Sequence, residues 1–378
     1  MRGYLVRSGK TENGTLKIKI TQLKFEIFKM IKKVIAFSIV AFALTSCKKD
    51  KETKVVINKE TGKAETITVD TPQEEGAKIP EAKPAITDSA GVYSLSFKLE
   101  KGKTYPLTSF QKDVTTVKDP SGKSISGTQE MTDEITFTVN DFVNGTYDIT
   151  VNLVGKVNKS SSQGKTVVVD TKQAAPKEEQ LKGMWTVNKA LSGNKLQMKM
   201  DEKGNVISIS GFDAVYKKVE QNITSLIKDA KERKQFMDGF KQGFNEKMFK
   251  EQFTQSLNIL PKKGVKIGET WTETDNLTPD GKLKISTTYK LEKVADGKAE
   301  VSIKGGIPKK SDSKKQEGIT HSISVEGSQN GKIILDANTG WILSSKQNMT
   351  TTQKESLSDG KQSQTMTQTT QSSITLNP

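Results

Sequence analysis

Residues 134–157 read EITFTVNDFVNGTYDITVNLVGKV. Apolar side chains fall at Ile135, Phe137 and Val139, and, after Asn144-Gly145, at Tyr147, Ile149, Val151 and Leu153. A period of two puts them on one face of a strand. Asn-Gly between two such runs supplies the positive φ angles of a two-residue hairpin turn. The stretch therefore reads as an antiparallel hairpin with one apolar and one polar face, the mark of a sheet that is wet on one side.

The same pattern extends in both directions. Tyr93, Leu95, Phe97 and Leu99 alternate up to a turn at Gly102. Leu196, Met198 and Met200 alternate up to a turn at Gly204, followed by Ile207 and Ile209. The pattern also recurs later in the chain. GKTY (102–105) matches GETW (268–271), and ITFTVNDFVNGTYDITV matches TTYKLEKVADGKAEVSI. In that alignment Phe137 meets Tyr289, Val139 meets Leu291, and Asn144-Gly145 meets Asp296-Gly297. MDEKGNVISIS then matches LDANTGWILSS, with the turn glycines one residue out of step. Asn-Gly and Asp-Gly turns are common, but three matches in the same order favour an internal duplication. The Ser/Thr/Gln-rich end of the chain reads as a long polar hairpin that turns at Ser358–Lys361 and ends on Ile374 and Leu376.

Between the two β regions the period changes. From Asp213 to Leu257 there is no proline, and apolar residues recur at three and four. Val215, Val219, Ile223, Leu226 and Ile227 form one stripe; Phe236, Phe240, Phe244, Phe249 and Phe253 carry another. Gly239 and Gly243 interrupt the second stripe, which leaves room for a bend or a close approach to the sheet. The expected fold class is mainly β with a helical insert (α+β). It comprises two related antiparallel β units, half-barrel-like in arrangement, over 91–212 and 259–378, joined by an amphipathic Phe-rich insert over 213–258.

The chain contains a single cysteine, Cys47. Before it runs VIAFSIVAFAL (34–44), preceded by Lys32 and Lys33. Eleven uncharged residues are too few to cross a bilayer, which takes about 20, but they suit a secretory h-region with a basic flank. Leu44, Thr45, Ser46 and Cys47 resemble the lipobox of bacterial lipoprotein signal peptides. That resemblance implies acylation of Cys47 and removal of the signal peptide, expected over 30–46. Residues 1–29 would place the h-region far from the start and read as a start-site extension ahead of Met30. Residues 47–90, charged and holding Pro72, Pro80 and Pro84, read as a tether, with a hairpin left open around Gly62.

Nine of the 59 Lys+Arg and two of the 44 Asp+Glu lie in residues 1–46, so the remainder carries about +8 rather than +15. Arg233 is the only arginine left in it, and the lysines are scattered. Nucleic-acid readers lean on arginine forks and aromatic platforms, so no nucleic-acid partner is expected. With Cys47 acylated, no thiol remains for a disulfide, a zinc site or a nucleophile. His321, the lone histidine, sits in the alternating stretch GITHSISVEGS and reads as a strand residue rather than a catalytic base. The loops at Asp201 and Asp336 lack the ligand spacing of a calcium loop and read as turns. Glu134, Asp141, Asp148, Glu269 and Glu273 offer carboxylate pairs for a hydrolase, but any chain this rich in acids does. No enzyme activity, catalytic residue, metal or cofactor is expected.

The lipobox, charged tether, GETW, the Phe-rich middle and the late LDANTGWI hairpin together resemble an uncharacterised family of Bacteroidota lipoproteins, a domain of unknown function, over about 90–378. The resemblance implies an outer-membrane, lipid-anchored protein and brings no site residues. The expected role is a non-enzymatic binding module, with Phe236, Phe240, Phe244, Phe249 and Phe253 contacting an apolar ligand between sheet and helices. The alternative is an envelope scaffold that binds a protein partner and uses the same rings as plain core.

Overall fold

The computed structural model describes residues 55–57, 64–66, 84–277 and 282–378. The expected start-site extension over 1–29, the expected signal peptide over 30–46 with Leu44, Thr45 and Ser46, and Cys47 itself lie outside the described residues. Within the expected tether, β1 (Val55–Ile57) and β2 (Ala64–Thr66) pair antiparallel, with Val55 opposite Thr66. The far end of that segment is not tether. β3 (Ile86–Ser89) pairs with β4 (Val92–Leu95), and Ala85 and Ile86 are buried, donating their N–H groups to Asn338 O and Ala337 O at 3.0 Å. The prolines and charges before Ala85 masked so short an apolar signal.

The main sheet begins with β5 (Thr104–Lys118), β6 (Ser124–Val143), β7 (Thr146–Ser162) and β8 (Lys165–Asp170). A helix that the sequence pattern did not announce, α1 (Glu179–Leu191), leads to β9 (Lys195–Asp201) and β10 (Val206–Ser210). Then come α2 (Phe212–Ile223), α3 (Ala230–Gly243) and α4 (Glu246–Leu257), followed by the short β11 (Val265–Lys266), which pairs with β4. The second β region comprises β12 (Thr270–Asn276), β13 (Lys284–Ala295), β14 (Lys298–Gln316), β15 (Ile319–Asp336), β16 (Ile342–Ser358) and β17 (Ser363–Leu376). The order across the sheet is β10-β9-β7-β6-β5-β17-β16-β15-β14-β13-β12, with β8 on the far half of β7. The two β regions are therefore one antiparallel sheet, joined where β17 pairs with β5, and it does not close into a barrel.

The two regions are built alike. Tyr105 stands opposite Phe137, and Trp271 opposite Tyr289; Val139 pairs with Ile149, and Leu291 with Val301. A bulge interrupts β6–β7 after Val139, and one interrupts β13–β14 after Leu291. Gly102 N donates to Val139 O at 2.8 Å, and Gly268 N to Leu291 O at 2.7 Å. Asn144 (φ 50°) and Gly145 (φ 76°) turn the first hairpin, and Asp296 (φ 54°) and Gly297 (φ 71°) the second. Bulge, turn and register coincide, which is more than common hairpin chemistry requires.

The core lies at the turn end of the sheet. Phe97, 1% exposed, threads between the two acidic turns: its N–H donates to Glu202 O at 2.7 Å, while Lys98 N donates to Thr339 O at 2.8 Å. The buried Tyr147 hydroxyl donates to Phe97 O at 3.0 Å and accepts from Leu99 N at 3.1 Å. Asp201 and Asp336 spend their carboxylates on backbone N–H groups of their own turns. Gly340, at φ +70°, packs so closely that an added Cβ would enter the Ser96 carbonyl. Gly340→Ala is therefore expected to cost roughly 2–4 kcal/mol, as left-handed strain plus overpacking, read as a lowered urea midpoint at unchanged slope.

Beyond the core the long strands continue with half-buried Ser, Thr and Gln on both faces. The C-terminal hairpin turns where Asp359 accepts from Lys361 N and Gln362 N, and Leu376 returns to the core at 9% exposure.

Candidate functional site

The insert folds as three helices because its breaks are encoded. Gly211, at φ 100°, admits the left-handed entry to α2. Asp229 caps α3 by accepting from Glu232 N at 2.8 Å, and Asn245 caps α4 by accepting from Met248 N at 3.0 Å. α2 buries Phe212, Val215, Val219 and Ile223 against the rest of the core. α4 buries Phe249, Phe253 and Leu257. α3 is different: of its fourteen residues only Met237 is buried.

The five candidate phenylalanines come together in a graded run. Phe236 stacks on Phe240 (6.4 Å between centroids), Phe240 on Phe244 (5.2 Å), and Phe244 meets Phe249 edge-on (4.6 Å). Phe249 meets Phe253 at 5.8 Å, and Phe253 meets Phe137 of β6 at 5.5 Å, T-shaped. Phe137 then touches Trp341 at 5.6 Å. Exposure falls along the run from 36% at Phe236 to 9% at Phe249 and 0% at Phe253, with Phe240 and Phe244 half-buried. These spacings are ordinary ring–ring contact. The run is thus continuous apolar surface from solvent to core. Tyr216 fixes its middle by donating to Phe244 O at 2.8 Å, with Lys241 Nζ 5.2 Å above the Tyr216 ring.

Gly239 and Gly243 make no close approach to the sheet, for a Cβ added at either meets nothing within 4 Å. Their effect is on the helix itself, where glycine costs about 0.5–1 kcal/mol relative to alanine. Gly239→Ala is accordingly expected to stabilise the protein by up to about that amount, seen as a rise of the thermal midpoint.

The candidate carboxylates do not converge. Glu134 pairs with Lys172 at 2.6 Å, Asp141 with Lys101 at 2.9 Å and Glu273 with Lys262 at 3.3 Å; Asp148 accepts from Asn140 at 2.8 Å, and Glu269 from Lys266 N at 2.8 Å. His321, on the inner face of β15, has its Nε2 2.5 Å from Glu355 Oε1 on β16. Among the described residues no group of three His, Cys, Asp or Glu side chains is placed to hold a metal ion, and no helix is long and apolar enough to cross a membrane.

Two features lay outside the sequence pattern. A shallow cavity of about 260 Å³ lies on the outer sheet face between β5, β6 and β17, lined by Val114, Thr116, Lys118 and Gln371 among others. On the inner face, Lys156 Nζ lies 2.6 Å from Asp133 Oδ1, with both side chains largely buried. Burial pushes the Asp133 carboxyl above its usual range, and Lys156 pulls against that shift.

Comparison with known proteins gives a family but no activity. In structure the chain is similar to part of lipovitellin, solved for its lipid–protein interactions, at 10% identity and a TM-score of 0.37, covering 73% of this chain and 25% of that one. It is also similar to OpdQ of Pseudomonas aeruginosa (8% identity, TM-score 0.13, 69% and 68% of the two chains) and to OccK7 (OpdD) of the same organism (6%, 0.16, 73% and 99%). The chain spans about a quarter of the lipovitellin chain it matches, and at these scores the likenesses carry no argument. No curated protein matches. The sequence profile described as "Family of unknown function (DUF6263)" matches residues 144–342, from the Asn-Gly turn of the first hairpin to the start of β16, and the chain belongs to that family.

Proposed function

We propose that the protein is a non-enzymatic binding module of the cell envelope, of the Bacteroidota lipoprotein kind, held at the outer membrane by acylated Cys47. Its helices α2–α4 admit an apolar ligand alongside the phenylalanine run. The observation that carries this is the pairing of a graded ring path with a loosely seated cover. Phe236 to Phe253 run from solvent to core, while α3, which brings Phe236 and Phe240, buries only Met237. Full burial of a phenylalanine stabilises by about 1.5–3 kcal/mol; α3 forgoes part of that at Phe236, which is 36% exposed, and at the half-buried Phe240, so lifting α3 costs less than lifting α2 or α4. Segments that open for ligands are drawn from the least stable parts of a fold.

A second reading, an envelope scaffold that binds a protein and no small ligand, draws on the other end of the same run. Rings in contact from Phe244 to Phe137 fill the space between α4 and the sheet. Native mass spectrometry of protein purified from a cell envelope separates the two. A co-purifying lipid lost on Phe240→Asp supports the binding module, and a clean apo mass supports the scaffold. The anchor is tested separately: a diacylated peptide beginning at Cys47 is expected from the wild type, and Cys47→Ser protein that is still cleaved and membrane-bound would remove it.

A further inference from the structure

Beyond Ile135 the inner face of the first β region turns polar while staying buried. β5 and β6 pair without a bulge, so the series Tyr105 opposite Phe137 and Leu107 opposite Ile135 continues to Ser109 opposite Asp133. Gln111 and Asp113 follow on the same face of β5. Ser109 is 0% exposed, Gln111 4% and Asp133 7%.

Four oxygens of this patch are buried without a hydrogen-bond partner among the described residues: Ser109 Oγ, Gln111 Oε1, Asp113 Oδ1 and Asp133 Oδ2. The nearby donors are already engaged. Lys156 Nζ donates to Asp133 Oδ1 at 2.6 Å and touches Met131 Sδ at 3.0 Å. Gln111 donates its Nε2 to Asp113 Oδ2 at 2.8 Å. A carboxylate only accepts, so this bond fixes the orientation of the amide and turns its oxygen away from Asp113. Buried oxygens without a partner are costly, and here they gather on one face. The charge is unbalanced in the same sense. Asp113 and Asp133 carry two carboxylates, and Lys156 is the cation that the register sets opposite Asp133. Across from Ser109, Gln111 and Asp113 on β17 stand Leu376, Ile374 and Ser372, and none brings a charge.

We propose that Ser109 Oγ, Gln111 Oε1 and Asp133 Oδ2 hold a hard metal cation on the inner face of the β5–β6 pair. Asp113 fixes Gln111 and adds negative charge. Side chains directly opposite on paired strands have Cβ atoms about 4.5–5.5 Å apart, close enough for one ion to touch both Ser109 and Asp133. The carboxylate has two oxygens, so Lys156 keeps Oδ1 while the ion takes Oδ2. A set made of carboxylate, amide carbonyl and hydroxyl oxygens suits sodium or calcium rather than zinc or copper. The site lies apart from the phenylalanine run and does not depend on it.

Thermal unfolding of the full chain at constant ionic strength tests this, in N-methylglucamine chloride, in sodium chloride and in calcium chloride. A cation held only by the folded state raises the unfolding midpoint. Sodium or calcium is expected to raise it saturably by at least about 2 °C over N-methylglucamine; sodium alone assigns a monovalent ion, calcium alone a divalent one. Ser109→Ala and Asp133→Asn should abolish the rise. Ser109→Ala deletes a single oxygen and carries the test even where Asp133→Asn fails to fold. Asp141→Asn, a carboxylate change on the exposed hairpin tip, should keep the full rise. Equal midpoints in all three salts, or an undiminished rise in Ser109→Ala, overturns the site. Either failure leaves the apolar-ligand reading of the helices untouched.

Discussion

Lys156→Met is expected to destabilise the protein by about 3–5 kcal/mol at neutral pH, the usual cost of stripping the partner from a buried charge. Lys156 Nζ is the cation 2.6 Å from Asp133 Oδ1, and Asp133 Oδ2 has no hydrogen bond among the described residues. The pH dependence identifies the mechanism. Burial already raises the folded-state pKa of Asp133, so the folded protein holds this proton more tightly than the unfolded chain does. The stabilising share of Asp133 is therefore fully present below its unfolded pKa and is lost as pH rises through the folded one. Removing Lys156 raises the folded pKa further. The deficit of Lys156→Met should thus shrink as pH falls and the carboxyl becomes neutral. A second change, Asp133→Leu in the same chain, should recover most of the loss at pH 7, since replacing both partners leaves no orphaned charge. Urea titrations at pH 7.5 and pH 4.5 read both effects. A deficit that is independent of pH would mean that lost packing, not the charge, explains the variant.

The second large effect is at Phe253. Its ring is fully buried between Phe137 of the sheet and Phe249 of α4, so Phe253→Ala should cost about 3–5 kcal/mol, transfer plus cavity. Phe236→Ala, at the exposed end of the same run, should stay within about 0.5 kcal/mol. The contrast splits the five phenylalanines that look equivalent in sequence. Phe249 and Phe253 are core, and Phe236, Phe240 and Phe244 are the part that a ligand or a partner can reach. Small losses at Phe253 would mean that α4 is not seated on β6.

What was legible in the sequence follows from how local the signal is. The hairpins β6–β7, β9–β10 and β16–β17 rest on period-two runs and on turn residues a few positions apart, and each formed where the pattern put it. The joining of the two β regions was not legible. β17 pairs with β5 across more than two hundred residues, through Thr, Ser and Gln that would suit either a solvated edge or an interior strand. α1 went unannounced because its stripe, with Leu181, Trp185 and Leu191 only partly covered, is short and diluted by Gly183, the polar Asn188 and an exposed Met184. The Asp133–Lys156 pair was hidden by a bulge. Strict alternation from Tyr147 to Leu153 would turn Lys156 outward, but the register shift at Val154 turns it inward, opposite Asp133. Gly239 and Gly243 were legible as interruptions of α3, but not as to their use; only the empty space beside them shows that they serve no close packing. The phenylalanine run itself was visible as a stripe, and its gradient of exposure was not.

The central claim is that α3 is a cover that opens for an apolar ligand. Hydrogen exchange of the full chain, followed along residues 230–243 with and without oleate, tests it most directly. Amides of α3 should exchange much faster than those of β6 and β7 in the apo protein and slow by at least ten-fold when oleate is added, with the sheet unchanged. Amides of α3 as protected as the strands in the apo protein, and indifferent to oleate, would contradict it.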